Sequence, residues 1–284
     1  MNALLNMTLV LALSGVVQEP PFTAEFAKIK ADMDKLSQES NKGYADAKTE
    51  EEREALQEKV YEANRRQGGP LVEKALTLVT PHAKDPAAVE VLVWVLNHHS
   101  LSGPATGDRA AELLREHHLT DPKTLEIASR YTHAPVRWNE KLLRALAAAD
   151  LPKDKKPQSK FMLAQYLASK ASIPPILKSL EGPMLKRVEA FYGKEYLAEL
   201  SAADASAIEA EAIRLYNEVV EKYPDEKYGS KTFGERAKAA VYEIQNLGIG
   251  KAAPEIAGED IDGKPMKLSD YRGKVIMLDF WGHW

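Results

Sequence analysis

The sequence has 284 residues, of which 44% are hydrophobic and 28% charged, and this is enough apolar material to bury a substantial core and to exclude a disordered protein. A formal net charge of -4 disfavours a nucleic-acid binder, because neutralising phosphates requires clustered lysines and arginines. Cysteine is absent, which excludes a disulfide, a thiolate nucleophile and a cysteine-ligated metal from the chain as printed.

An apolar run at residues 3–17, interrupted by three polar residues, opens the chain. Its length and the small residues near its end predict a secretory signal peptide over residues 1–18, and with it export to the periplasm or cell envelope. The first residues carry no lysine or arginine, so an ordinary core helix and a mis-assigned start stay open as alternatives. No other segment has the pattern of a membrane span, so we expect none beyond the signal.

A helical hairpin is predicted after this run. One helix face carries apolar residues at spacings of four and three, namely Phe22, Phe26, Ile29, Met33 and Leu36. The apolar pattern resumes at Leu56 and Val60 after a polar break, and Thr49 with Glu52 predicts a capping box at the start of the second arm. We interpret the stripe as core packing of an antiparallel pair, with a coiled-coil dimer seam as the alternative.

Further helices are predicted beyond a break at Gly68, Gly69 and Pro70. Asp85-Pro86 and Asp121-Pro122 each place a capping carboxylate before a proline at the first helical position. The similar stretches "NHHSLSGP" and "REHHLTDP" favour stacked helix pairs of a solenoid type, although they do not fix a period.

Two histidine pairs, His98-His99 and His117-His118, raise the question of a metal site. Neighbouring residues on a helix point about 100° apart, so the members of a pair do not converge on one ion. We therefore predict no metal site and interpret the histidines as solvated side chains at helix C-termini, where they suit the helix dipole.

The last predicted helices resemble a tetratricopeptide-type hairpin. The stretch "AIEAEAIRLYNEVVEKYPD" collects apolar residues on one face: Ile208, Ala212, Leu215, Tyr216, Val219 and Val220. Its partner, "FGERAKAAVYEIQNL", turns Ala237, Val241 and Ile244 inward and ends before Gly248. Residues 22–248 are thus predicted to form one helical domain, and the resemblance implies a role in supporting or binding a protein partner.

The pattern changes after Gly248. Turn residues at Asp262-Gly263 and Arg272-Gly273 separate short extended pieces, and Asp262-Gly263 predicts a hairpin whose two turn residues have positive φ. Val275 to Phe280 is apolar and rich in strand-forming residues, which predicts a strand buried on both faces. We therefore place a second domain at residues 249–284.

This segment resembles the opening of a TlpA/ResA-type thioredoxin-fold domain of the redoxin (AhpC/TSA-like) superfamily. The family pattern "GKxAPxhxxxDxDGKxxxLSDYRGKVhhLxFWxxW" is matched at Gly250, Lys251, Ala253, Pro254, Asp262, Gly263, Lys264, Leu268, Ser269, Gly273, Lys274, Val275, Phe280, Trp281 and Trp284. With helices first and this segment afterwards, the chain is similar to multidomain redoxins of planctomycete-type bacteria. The predicted fold class is therefore mainly α, followed by the first β elements of an incomplete thioredoxin-like α/β domain.

The resemblance implies a catalytic Cys-x-x-Cys directly after Trp284. In the family the first cysteine lies at a helix N-terminus, which lowers its thiol pKa, and it attacks a disulfide that the second cysteine resolves. The partners implied are protein thiols and disulfides. The resemblance implies a structural role, as scaffold and lip of that site, for Trp281, His283 and Trp284. We therefore assign no catalytic, cofactor-binding or metal residue and no cofactor.

Three explanations of the end at Trp284 are open: a fragmentary or frameshifted gene, an in-frame UGA that encodes selenocysteine, and a truncation that leaves a working helical protein. Two function classes follow from them. The first is a thiol-disulfide oxidoreductase of the cell envelope that is incomplete and inactive as given. The second is a helical repeat scaffold or protein-binding module with a vestigial redoxin tail.

Overall fold

The structure is a computed structural model that describes residues 20–46, 49–248 and 251–279. Over these residues the chain is mainly α-helical, with two small antiparallel two-stranded sheets, which confirms the predicted fold class at this level. The signal peptide predicted at residues 1–18 lies outside the described residues. Within them, no helix is both long enough and apolar enough to cross a membrane.

The chain divides into two compact units. Unit 1 is Met1–Ile127 with Lys186–Lys194, and unit 2 is Ala128–Leu185 with Glu195–Trp284. The boundary between helical domain and tail at residues 248 and 249 stays a prediction.

Unit 1 begins with the predicted helical hairpin. Its helices are α1 (Thr23–Asp46), α2 (Glu50–Val79), α3 (Ala88–Asn97), α4 (His99–Ser102), α5 (Pro104–His117), the start of α6 (Pro122–Arg130) and the end of α9 (Gly182–Tyr192). Lys74 Nζ lies 2.6 Å from a Glu25 carboxylate oxygen, and Ser40 lies 2.9 Å from Asn64, so α1 and α2 run antiparallel. The Thr49 and Glu52 capping box is present and begins α2 as predicted.

The predicted break at Gly68, Gly69 and Pro70 is wrong, because α2 continues through these residues to Val79. Instead, the two glycines allow α2 to approach α4 closely. A Cβ on Gly69 would lie 2.8 Å from the carbonyl oxygen of Leu101, and one on Gly68 would lie 3.0 Å from the Leu101 side chain. Tertiary packing of α2 against α4 thus outweighs the low helix propensity of the three residues.

Unit 2 packs its helices around buried aromatic and aliphatic side chains. Its helices are the end of α6, α7 (Arg137–Ala148), α8 (Lys156–Leu177), the start of α9 (Gly182–Tyr192), α10 (Lys194–Ala202), α11 (Ala205–Lys222) and α12 (Phe233–Asn246). Helix α11 packs on α8 and α12, and its buried residues Ala212, Leu215, Tyr216 and Val219 belong to the predicted inward face. The Tyr166 hydroxyl donates to the Val136 carbonyl at 3.0 Å in this core.

A network of ion pairs joins three helices of unit 2. Arg144 of α7 donates two hydrogen bonds to Glu211 of α11, at 2.8 and 3.0 Å. It donates a third to Glu140, whose other oxygen lies 2.7 Å from Lys170 Nζ of α8. The hydrogen bonds from Arg144 hold the pKa of the Glu211 carboxyl below its ordinary value.

Arg144→Gln is expected to lower the free energy of unfolding by about 1 kcal/mol at pH 7, because the network is bidentate but half-exposed. A carboxylate whose pKa is lowered by folding stabilises the fold above its ordinary pKa, and this contribution is lost as the pH falls through the lowered value. The difference from wild type should therefore shrink below pH 4.5. Urea unfolding from pH 7 downward measures it.

Arg214→Gln is the matched control for this prediction. Arg214 is exposed and lies 3.9 Å from Glu211, so its loss should change stability by less than about 0.5 kcal/mol at any pH. A deficit of Arg144→Gln that stays constant down to pH 3.5 would contradict the assignment to carboxylate pairing.

Candidate functional site

The tail that carries the redoxin pattern contains a small hairpin. Strands β3 (Ala257–Glu259) and β4 (Pro265–Lys267) pair antiparallel, with Gly258 opposite Met266, which confirms a hairpin around Asp262-Gly263. The turn differs from the predicted one, because five residues connect the strands and only Gly263 has a positive φ, of 74°. The Asp260 carboxylate shapes the loop by accepting from the N–H groups of Asp262 and Lys264, each at 2.9 Å.

The hairpin is tied to the residues that flank it. The Leu268 N–H donates to the Ile256 carbonyl at 2.9 Å, and the Ser269 N–H donates to the Glu255 carboxylate at 3.0 Å. The hydrogen bonds with Ser269 lower the pKa of the Glu255 carboxyl. Ser269, one of the residues that match the redoxin pattern, thus holds the chain before β3 against the short 3₁₀ turn after β4.

The apolar segment 275–279 has no regular secondary structure, so the prediction of a strand buried on both faces is wrong for these five residues. Its side chains nevertheless alternate. Ile276 and Leu278, 41% and 51% exposed, line a shallow concavity formed by the tail itself, whereas Val275 and Met277 are almost completely exposed. The segment has no neighbouring strand in the described chain with which its backbone could pair, and this explains the difference.

The chain as printed contains no cysteine, so the Cys-x-x-Cys of the redoxin pattern is not among its residues. Trp281, His283 and Trp284, interpreted as scaffold and lip of a redoxin site, lie outside the described residues. The side chains that the tail does place together are Glu255, Ser269 and the apolar pair Ile276 and Leu278. None of these four side chains is a thiol, which is the group that thiol-disulfide exchange requires.

The histidine pairs lie at helix ends, but two of the four side chains are not solvated as predicted. His99 and His118 are buried, and both bind backbone carbonyls: His99 Nδ1 lies 2.8 Å from Leu96 O, and His118 Nε2 lies 2.6 Å from Ala83 O. Burial lowers the pKa of His99. No group of three or more potential ligand residues that could hold a metal ion occurs among the described residues.

Unit 2 contains a groove of about 710 Å³ between α8 and α12. Helix α8 supplies one wall with Phe161, Gln165, Ala168, Ser169, Ser172 and Ile176. Helix α12 supplies the other with Arg236, Ala239, Ala240, Glu243, Ile244 and Leu247. Glu209 and Tyr216 of α11 also line it, so we call this site the α8–α12 groove.

Two polar groups in the groove lack hydrogen-bond partners among the described residues. The Tyr216 side chain is 2% exposed, and its hydroxyl makes no hydrogen bond to any described group. The Arg236 guanidinium stacks at 4.6 Å on the Tyr228 ring, forms no ion pair with a described carboxylate, and has a buried Nε without a hydrogen-bond partner. Burial, with a smaller effect of the Glu243 charge, raises the pKa of Tyr216, so its hydroxyl is a donor at neutral pH.

Sequence patterns did not reveal this groove. Tyr216 falls on the apolar stripe of α11 and was therefore interpreted as an ordinary core residue. Arg236 has no motif around it, because its position depends on Tyr228, which reaches the same site from the short hairpin of β1 (Lys227–Tyr228) and β2 (Lys231–Thr232). The capping box of Thr232 and Glu235 is a local sequence feature that marks the start of α12, one wall of the groove.

Several curated proteins are similar to a short stretch of the chain. Thiol-disulfide oxidoreductase ResA of Bacillus thuringiensis subsp. konkukian is 42% identical over 40 residues, which is 14% of this chain and 23% of that protein. ResA of Geobacillus thermodenitrificans is 42% identical over 38 residues, and ResA of Bacillus subtilis is 42% identical over 40, each covering 22% of the relative. The chain thus spans less than a quarter of the length of these relatives.

No family model matches the chain, and no solved structure matches it. Over about 40 residues, the chain is similar to thiol-disulfide oxidoreductases, a relationship that fits a thioredoxin-like redoxin.

Proposed function

We propose that the tail is the N-terminal part of a thioredoxin-like domain and that the chain belongs to a thiol-disulfide oxidoreductase of the TlpA/ResA type with an N-terminal helical part. The similarity to ResA, together with the redoxin pattern that spans residues 250–284, supports this proposal. We infer that the matched stretch is this tail, because no other part of the sequence carries a redoxin pattern.

The observation that carries the proposal is the alternation in segment 275–279. Ile276 and Leu278 face the tail, while Val275 and Met277 present a bare apolar face, as in a strand whose second covering layer is absent. A central strand of a sheet covered on both faces needs that second layer as well as neighbours for its backbone. Residues of a completed domain would supply both.

Catalysis would need the Cys-x-x-Cys that the family places after this strand. Without a thiol, the printed chain can neither attack a disulfide nor resolve a mixed one, so we propose that it is inactive in that form. The partners of the completed protein would be protein thiols and disulfides, and the helical part would dock a partner or shield the redox domain. The apolar run at residues 3–17 supports export to the periplasm or cell envelope.

The second candidate function is a helical scaffold or protein-binding module with a vestigial redoxin tail. The α8–α12 groove favours it, because it is a concavity of about 710 Å³ in the helical part that both apolar and hydrogen-bonding side chains line.

Reading the genomic sequence after the Trp284 codon separates the two. A frame that continues into a Cys-x-x-Cys, with or without a UGA at the first cysteine codon, is the result that the oxidoreductase proposal expects. A run of unrelated codons would contradict it and favour the helical module.

A further inference from the structure

The walls of the α8–α12 groove have the dimensions of a peptide-binding site. From Phe161 to Ile176, α8 provides about 22 Å of wall, and from Arg236 to Leu247, α12 provides about 16 Å, at about 1.5 Å per helical residue. An extended peptide of about five or six residues has this length. The groove is therefore long enough for a segment of chain.

Small and hydrogen-bonding side chains are distributed along the groove. Alanines on both walls and serines on the α8 wall leave room for a backbone to approach closely. Hydroxyl and amide groups line the groove at Gln165, Ser169, Ser172 and Ser230. A peptide backbone presents N–H and C=O groups at regular intervals and can use such donors and acceptors. Ile244 and Leu247 add apolar surface for side chains of the ligand.

The side chains that line the groove carry more positive than negative charge, with Lys231, Arg236 and Lys251 against Glu209 and Glu243. Arg236 and Lys231 line it without an ion pair to a described carboxylate. Of the two acidic side chains that line it, Glu209 lies 3.9 Å from Lys251 Nζ and is partly neutralised, and Glu243 is exposed on the wall of α12. A guanidinium whose Nε is buried without an acceptor gains most from a carboxylate, which accepts strong charge-assisted hydrogen bonds.

We propose that the α8–α12 groove binds a segment of a partner protein that carries an acidic side chain between apolar ones, with the carboxylate held by Arg236. Lys231 adds attraction at the entrance. The hydroxyl of Tyr216, which lines the groove, donates a hydrogen bond to the bound segment. This inference rests on unit 2 alone and is independent of the redox proposal.

A selection from a random dodecapeptide library displayed on phage, against the full chain, tests the proposal without assuming a ligand sequence. We expect the enriched peptides to share one aspartate or glutamate flanked by aliphatic residues. Failure to enrich any common pattern, or enrichment of a pattern without an acidic residue, would overturn the proposal.

The winning peptide, labelled with fluorescein, then measures the contribution of Arg236. Arg236→Gln should weaken binding by at least about tenfold, because it removes a charge-assisted hydrogen bond. Lys238→Gln, an exposed lysine on the same helix that does not line the groove, is the matched control and should leave the affinity unchanged. Equal binding by wild type and Arg236→Gln would contradict the proposal.

The peptide itself provides the second test, in case Arg236→Gln lowers the stability of the fold. Replacing its acidic residue by the corresponding amide should weaken binding to the wild-type chain by a similar factor and should not weaken it further in Arg236→Gln. Tyr216→Phe should reduce affinity for both forms of the peptide. An amide peptide that binds wild type as tightly as the acid would exclude the carboxylate contact.

Discussion

A chain extended beyond Trp284 with the catalytic segment of Bacillus subtilis ResA is expected to reduce insulin in the presence of dithiothreitol, whereas the printed chain should not exceed the blank. The printed chain has no thiol and thus no nucleophile for disulfide exchange. A cysteine at a helix N-terminus is thiolate to a large extent near pH 7, while a free thiol with a pKa of about 8.5 is mostly protonated. The extended chain should therefore exceed the blank by at least about tenfold.

The control is the same extended chain with both cysteines changed to serine, which should return to the blank. Circular dichroism and a cooperative melt establish whether the extended chain folds. A folded, extended chain without activity would show that the tail does not complete a redoxin domain. Activity of the printed chain above the blank would equally contradict the account.

Gly234→Ala is expected to destabilise unit 2 by about 1–2 kcal/mol, although alanine usually stabilises a helix relative to glycine by about 1 kcal/mol. Gly234 is buried in the first turn of α12, and a Cβ there would lie 2.6 Å from the Pro224 carbonyl oxygen and 2.8 Å from its Cα. These are backbone atoms and cannot rotate away, so the start of α12 must move. Overpacking of this kind costs about 1–3 kcal/mol.

Gly258→Ala is the control for this prediction, because a Cβ at that exposed position in β3 meets no atom within 4 Å. It should change the urea midpoint by an amount that corresponds to less than about 0.5 kcal/mol. A Gly234→Ala protein as stable as wild type would mean that Pro224 and the first turn of α12 are not packed as described.

Sequence patterns predict those parts of the fold that depend on residues close together in the sequence. The capping box at Thr49 follows from a contact three residues away, and the hairpin at Asp262-Gly263 from the conformational freedom of glycine. The Gly68-Gly69 pair could not be interpreted in this way. Its role depends on the backbone of Leu101, which lies more than thirty positions away in sequence.

The same difference applies to the two candidate sites: local sequence predicts the tail but not the groove. A dozen or more matched positions in the tail indicated a redoxin relationship, and the short similarity to ResA agrees with it. The α8–α12 groove was not predicted, because hydrophobic periodicity does not distinguish a buried tyrosine that packs fully from one whose hydroxyl reaches a groove. The burial of His99 and His118 could not be predicted for a similar reason. The Ala83 carbonyl that His118 binds lies 35 positions away in sequence, and His99, although it binds the nearby Leu96 carbonyl, packs against the distant Phe191.

The central proposal is that segment 275–279 becomes a strand when a completed domain supplies its neighbours, and hydrogen exchange of its backbone amides tests this most directly. In a monomeric sample of the printed chain, the amides of Val275 to Asp279 should exchange within the dead time of the experiment, because they make no strand hydrogen bonds in the described structure. In the chain extended with the ResA segment, the same amides should be protected. Slow exchange in the monomeric printed chain would contradict the account, because it would show that the segment already has its hydrogen-bond partners.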